Sequence, residues 1–207
     1  SNSFCEKDLN NDDNLKAIAR VIKDNVLNEI NIKNSRFICV LKYVENVNDI
    51  NKAINDARSL YKDASHIVYA WKISNMQKYS DDGEPGGTAG APVMEVLLKN
   101  DIINVLAIVV RYFGGIKLGA GGLIRAYSKS VREALLLTTL NDYISYNYYE
   151  LKTDYNNLKL LNVLTNRLYI IEKLFENDIT YKIKIDKKKD NIKEIFLNTK
   201  IKVKSLN

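Results

Sequence analysis

All nine glycines of this 207-residue chain lie between Asp81 and Tyr127. They fall in two runs, DDGEPGGTAGAP at 81–92 and RYFGGIKLGAGGLIRAY at 111–127, here named the first and the second glycine-rich segment. Because glycine loses the most backbone freedom on folding, such a chain places it where a side chain does not fit. The second segment follows an apolar run and leads into a helical pattern. It therefore predicts a strand, a glycine turn and a helix whose first N–H groups favour anions.

Composition limits the class of protein. An apolar fraction of 46% supports a packed core, and a net charge of +6 favours a phosphate-bearing or acidic partner. The two cysteines, Cys5 and Cys39, are not part of a CxxC pair, so we expect no zinc site, no disulfide framework and no cofactor. The longest apolar run, residues 105–110, is too short for a membrane span, and no signal-peptide pattern is evident. We therefore expect a cytoplasmic protein with no membrane partner.

Apolar periodicity divides the chain into two α+β domains. After a polar segment and helix at 1–25, the first domain is predicted at 26–139 and the second at 140–207. For the first domain the pattern predicts a hairpin of 26–32 with 36–44, a helix at 50–61, a strand at 66–73, a loop at 76–87, a helix at 92–99, a strand at 104–112 and a helix at 119–137. The second domain has the order β-α-β-β-α-β, which is typical of a ferredoxin-like fold.

Standard nucleotide motifs are absent from the second segment. A Walker motif starting at Gly114 needs lysine where Ala120 stands, and a dinucleotide motif starting at Gly119 needs glycine where Ile124 stands. A nonstandard phosphate cradle stays open, because Arg111, Lys117 and Arg125 would favour an anion there. The alternative is structural, with glycines that permit a tight turn or close helix–sheet packing.

The first segment carries the acidic cluster Asp81, Asp82 and Glu84. Such carboxylates can hold Mg²⁺ or act in acid–base chemistry. Two structural alternatives remain open, namely capping of local N–H groups and an ion pair with Arg111, Lys117 or Arg125. The single histidine, His66, begins a predicted strand, where a structural hydrogen-bonding role is favoured over a catalytic one.

The two glycine-rich segments, with SRF at 35–37 and HIVYAW at 66–71, resemble the IMPACT/YigZ family over residues 26–138. The resemblance implies a first domain similar to domain 2 of a small-subunit ribosomal protein and to domain IV of elongation factor G. It implies a tail similar to domain V of that factor, as in bacterial YigZ-type members. Eukaryotic IMPACT proteins are similar to regulators of starvation signalling to translation initiation, and they carry an RWD domain that these 207 residues do not include.

We therefore predict a noncatalytic, translation-associated regulatory protein that binds RNA, the ribosome or a translation-machinery protein. Two alternatives remain: an enzyme acting on a phosphorylated ligand between the two glycine-rich segments, and a protein–protein regulator of starvation signalling. The acidic side of such an enzyme site would be Asp81, Asp82 and Glu84. The predicted phosphate or RNA contacts are Arg111, Lys117, Arg125 and Lys129, with close approach permitted by Gly114, Gly115, Gly119, Gly121 and Gly122.

Overall fold

A five-stranded antiparallel sheet organises the first unit of the chain, in a computed structural model that describes residues 19–207. The chain divides into two compact units, the first ending at Tyr143 and the second comprising Ile144–Asn207. The elements of the first unit are β1 Arg20–Ile22, β2 Val26–Ile32, β3 Ser35–Tyr43, α1 Val47–Leu60, β4 His66–Ile73, β5 Met76–Ser80, α2 Gly90–Lys99, β6 Val105–Tyr112, α3 Gly119–Leu135 and β7 Leu140–Asp142. The large sheet has the order β2-β3-β6-β4-β5.

Strand β6 lies at the centre of this sheet because its side chains are apolar on both faces. Val105, Ala107 and Val109 pack in one core with α2 and α3. Leu106 and Ile108 pack in a second core with α1 on the opposite face. The sheet is therefore covered on both sides, and the continuous apolar run of β6 is explained by burial on both faces.

Three short strands differ from the sequence prediction. Met76–Ser80, predicted as loop, is the edge strand β5, which forms by pairing with β4 although its own side chains are mostly exposed. Strands β1 and β7 pair with each other antiparallel, and neither was predicted. Three-residue strands are too short to show alternation, so only their tertiary pairing defines them. The helix predicted within 1–25 lies mainly outside the described residues, and the described part contains β1 instead.

The second unit has the predicted ferredoxin-like order. Its elements are β8 Tyr146–Thr153, a 3-10 turn Tyr155–Asn157, α4 Leu158–Thr165, β9 Tyr169–Phe175, β10 Ile179–Asp186, α5 Ile192–Ile195 and β11 Lys202–Ser205. The four strands form an antiparallel sheet in the order β11-β8-β10-β9. One face carries the core, in which Leu151, Tyr181 and Ile183 pack with Leu161 of α4. The α+β class predicted for both domains is thus confirmed.

The cysteines and the apolarity of the helices can be compared with the expectations from composition. Cys39 is a buried free thiol, and burial raises its pKa to about 12. Cys5 lies outside the described residues. Within residues 19–207 no helix combines the length and apolarity that a membrane crossing requires.

Candidate functional site

The two glycine-rich segments are joined by a buried ion pair between Glu84 and Arg111. Arg111 Nη1 lies 2.6 Å from Glu84 Oε1, and the two side chains are only 6% and 1% exposed. His66 Nε2 also lies 2.9 Å from the same carboxylate oxygen. Arg111 and His66 are direct cross-strand partners on β6 and β4, so the register of the sheet places both around Glu84. The predicted ion pair between the segments is confirmed, with Arg111 as its basic member.

The surroundings of Arg111 hold its guanidinium inside the protein. Nη2 donates to Ser35 Oγ at 3.4 Å, and the guanidinium carbon lies 5.7 Å and 5.5 Å from the ring centroids of Phe37 and Phe113. A buried charge is tolerated only when it is paired and hydrogen-bonded, and Glu84 supplies the opposite charge. Arg111 therefore connects the β2–β3 hairpin with the first segment. Arg111 was predicted to contact phosphate, and the structure places its side chain in a buried position where it is already paired.

Both ring nitrogens of His66 have oxygen partners. Nδ1 lies 2.8 Å from the Asp82 carbonyl oxygen, while Nε2 faces the Glu84 carboxylate. Because both partners are acceptors, only the doubly protonated ring can donate to both. These contacts give His66 a structural role, in which it ties the start of β4 to the first segment.

The other two acidic residues of the first segment are engaged with backbone N–H groups. Asp81 Oδ1 accepts from Ala89 at 3.1 Å and from Gly90 at 2.8 Å, and Oδ2 accepts from Gly87 at 3.0 Å. Asp81 thus caps the start of α2, where N–H groups have no partner within the helix.

Asp82 Oδ2 accepts from Ile67 N at 2.6 Å, so it holds the first segment against β4. Asp81, Asp82 and Glu84 therefore face three different sets of partners. Among the described residues no group of three or more His, Cys, Asp or Glu side chains is arranged to hold a metal ion. The sequence left open that these carboxylates share one ligand site, whereas in the structure each of them contacts separate structural donors.

Two of the glycines are required by close packing. A Cβ at Gly90 would lie 2.7 Å from the Ser80 carbonyl oxygen, and one at Gly114 would overlap the backbone of Asn34. The close approach seen at Gly114 is therefore to the β2–β3 turn of the protein itself. Four others remain around the start of α3: Gly115 and Gly119 border open space, whereas Gly121 and Gly122 lie beside side chains of Arg125 and Leu118.

The remaining predicted cations form an exposed surface on and just before α3. Arg125, Lys129 and Arg132 are spaced by four and three residues, which places them on one side of the helix, and Lys117 precedes its first turn. All four are exposed. Within residues 19–207, no acidic group lies within ion-pair distance of these four, which are named here the α3 basic face. Leu118 is the N-cap residue of α3, and its side chain makes no hydrogen bond to the N–H groups of the first turn.

Tyr127 completes the buried cluster and was not predicted as part of it. It is fully buried on the inner side of α3, with its ring edge-on to Phe37 at a centroid distance of 5.2 Å. Among residues 19–207 its hydroxyl has no hydrogen-bond partner, and burial, followed by the negative charge of Glu84, raises its pKa. The sequence signal for this buried cluster was a single arginine, Arg111, at the end of an apolar strand. That pattern did not indicate which residues surround the arginine.

Sequence and structure comparisons give consistent results. The family description "Impact N-terminal domain" matches residues 33–135. The chain is 48% identical over 117 residues to "IMPACT family member YvyE" of Bacillus subtilis, covering 55% of this chain and 54%, about half, of that protein. It is 37% identical over 138 residues to "IMPACT family member YigZ" of Escherichia coli, covering 64% of this chain and 68% of that one.

Similarity also extends to the second unit. An IMPACT family member of Haemophilus influenzae is 36% identical over 155 residues, covering 72% of this chain and 75% of that protein. A crystal structure described only as that of a hypothetical protein aligns with a TM-score of 0.64 at 28% identity, covering 91% of this chain and 97% of the other. Because the matches reach well beyond the glycine-rich segments, the chain belongs to the IMPACT family.

Proposed function

We propose that the chain is a cytoplasmic, noncatalytic binding protein associated with translation, and that it contacts RNA through the α3 basic face. The supporting observation is a set of four exposed cations that no acidic side chain of the described residues neutralises. Exposed lysine and arginine side chains without an acidic partner bind phosphates favourably, because binding releases the counterions condensed on the nucleic acid. The link to translation comes from the family resemblance, while the geometry supports contact with an anion.

Arg125 is the best-placed member of the α3 basic face. A Cβ at Gly121 would lie 3.2 Å from Arg125 Nη1, so the guanidinium folds over the first turn of α3. There it adds to the positive end of the helix dipole and stands near N–H groups that no side chain caps. A phosphate at this position would meet both charge and N–H donors. Gly121 thus has a specific use, since it leaves room for the guanidinium.

Exposed apolar side chains lie close to these cations in the sequence. Phe113 is 50% exposed, and Ile116 and Ile124 are 45% and 41% exposed. The Phe113 ring is held by the Arg111 guanidinium at 5.5 Å. An aromatic ring beside arginine and lysine is suited to an unpaired base.

The enzyme alternative depends on the three acidic side chains of the first segment. Asp81, Asp82 and Glu84 are each engaged in structural contacts, and Glu84 is buried. A cavity of about 680 Å³ lies elsewhere in the first unit, beside Tyr43 and Tyr143, and no residue of either glycine-rich segment lines it. No observation on these segments favours catalysis.

Charge reversal on the α3 basic face tests the proposal. Lys117→Glu and Arg125→Glu should each remove about one phosphate contact, which lowers the slope of log affinity against log salt by ~0.7–0.9. The measurement is fluorescence anisotropy with a labelled RNA hairpin between 50 and 200 mM KCl, a range in which phosphate contacts change affinity strongly. The free energy of unfolding of each variant should stay within about 0.5 kcal/mol of that of the unaltered chain, because both side chains are exposed.

Lys62→Glu is the matched control, since it makes the same charge change at an exposed site directly after α1 on the opposite side of the sheet. An equal loss for Lys62→Glu, or unchanged affinity in both α3 variants, would refute the assignment. Affinity capture from cell extract, with and without ribonuclease, then separates the classes of partner. RNA-dependent or ribosomal partners support the proposal, whereas one ribonuclease-resistant protein partner supports a protein–protein regulator.

A further inference from the structure

The outward face of the second unit's sheet carries three tyrosines around one lysine. Lys184 of β10 pairs directly with Tyr148 of β8 and with Tyr169 of β9. Its Nζ lies 4.3 Å from the ring centroids of both Tyr146 and Tyr169. The ammonium therefore fixes two aromatic rings by cation–π contacts. This group is named here the tyrosine platform.

The tyrosine platform is directed away from the core. Along β10 the buried residues Ile183 and Ile185 alternate with Lys184, so Lys184 and its cross-strand partners belong to the other face. Tyr148 is 42% exposed and Tyr169 is 61% exposed. Neighbouring exposed aromatic rings on a sheet face point to a binding surface.

Positive charge lies at one end of the tyrosine platform. The run Lys187–Lys189 follows β10, and Lys187 N donates to the Ser145 carbonyl oxygen, immediately before β8. These three lysines thus stand at the end of the sheet where Tyr146 lies. Two acidic residues lie in the same turn. Asp186 accepts from the Lys188 backbone N–H, and the N–H of Asp190 donates to the Asp186 carbonyl oxygen. In the described part of the chain, neither Lys184 nor the lysine run forms an ion pair.

We infer that the tyrosine platform binds single-stranded nucleic acid. Unpaired bases stack on the rings of Tyr148 and Tyr169, and the adjoining lysines contact the backbone phosphates. A four-stranded sheet with exposed aromatic side chains is an established architecture for such recognition. A duplex hides the faces of its bases, so the combination of flat rings and lysines fits an unpaired strand. The choice of RNA over DNA rests on the proposed function.

This surface is independent of the α3 basic face, because it belongs to the other unit of the chain. The test uses the full chain and fluorescein-labelled ten-nucleotide oligo-U, oligo-dT and an RNA duplex of equal length. Tyr148→Ala and Tyr169→Ala should each lower the affinity for oligo-U by about fivefold or more, since stacking on one ring contributes that much. Tyr148→Phe and Tyr169→Phe keep the ring and should retain affinity within about twofold.

Tyr79→Ala, at an exposed tyrosine of the first unit, is the matched control and should leave affinity for oligo-U unchanged. Three results would overturn the inference: no binding of oligo-U by the unaltered chain at 50 mM KCl, an equal loss in the alanine and phenylalanine variants, or an equal loss for the duplex. Displacement of oligo-U by polyglutamate with the same tyrosine dependence would also overturn it, because an acidic polypeptide offers no bases.

The same oligo-U assay separates this inference from the proposed function. If the tyrosine-to-alanine substitutions still weaken oligo-U binding in the Lys117→Glu and Arg125→Glu variants, the result supports the tyrosine platform even if the α3 basic face does not bind RNA. Binding to oligo-dT equal to that of oligo-U supports the platform for single strands in general and contradicts only the preference for RNA. The 2′-hydroxyl is the group that distinguishes the two ligands.

Discussion

The two glycine-rich segments look alike in sequence but use their charges in opposite ways. In the first segment, Asp81 and Glu84 are directed into the protein, where they meet backbone N–H groups, Arg111 and His66. In the second segment, Lys117 and Arg125 are exposed and lie outside ion-pair distance of any acidic group within residues 19–207. A charged residue in a motif is thus available to a ligand only where the fold leaves it unpaired.

The difference follows from what each segment connects. The first segment joins the edge strand β5 to α2, and its Asp81 carboxylate satisfies unpaired N–H groups at the start of that helix. The second segment leaves the end of the central strand β6, where Arg111 is still inside the sheet layers. Six residues later, at Lys117, the chain has reached the surface. Substitutions in the first segment should therefore change stability, and those on the α3 basic face should change binding.

Glu84→Gln should have the largest effect on stability. It removes the charged partner that the buried Arg111 guanidinium has among the described residues, which should lower the free energy of unfolding by about 3–5 kcal/mol. Urea denaturation followed by circular dichroism measures it. The control is Glu95→Gln, which breaks the exposed pair with Lys99 and should cost no more than about 0.5 kcal/mol. Similar losses for the two variants would contradict the buried pair.

Gly114→Ala should be next in size. The added methyl group would overlap the backbone of Asn34, and such overpacking typically costs about 1–3 kcal/mol or more. Gly86→Ala is the matched control, because a Cβ there meets no atom within 4 Å. That control should be neutral or slightly stabilising, by up to ~1 kcal/mol, through the unfolded chain. Thermal unfolding compares the two variants, and equal melting temperatures would show that Gly114 has no packing role.

Asp81→Ala should have the smallest of these three effects. Loss of the cap of α2 should cost about 1–2 kcal/mol, measured by urea denaturation. Asp81→Asn keeps one acceptor oxygen and should recover part of the loss. An asparagine variant as unstable as the alanine variant would show that the negative charge, and not the hydrogen bonds, stabilises this end of the helix.

Strong periodicity made parts of the fold predictable. His66–Ile73 is a strand with the predicted bounds, and α3 begins at the predicted Gly119. The helix predicted from residue 50 begins at Val47 as α1, with Asn46 as its N-cap, whose side chain accepts from the Asp49 N–H. Several polar residues before one helix can each act as a cap, so the residue that does so depends on where the preceding strand ends and the helix begins.

The candidate site was predictable only in part. A pairing of the acidic cluster with a cation of the second segment was one of several possibilities at the sequence level. Burial selects Arg111 among three basic candidates, and the contact with Ser35 was not foreseen. Nothing in the spacing of these residues indicates which of them face inward, since that depends on the packing of α3 against the sheet.

Local sequence pattern was sufficient to predict two α+β domains, the strand–glycine–helix order, the family resemblance and the helical spacing of Arg125 and Lys129. Which charges are free follows only from the packed structure. Glu84 and Arg111 are 27 residues apart, and they meet because contacts of Asp82 hold the first segment against the start of β4, which is paired with the end of β6. Burial then requires that these two charges neutralise each other, whereas the α3 basic face remains in water.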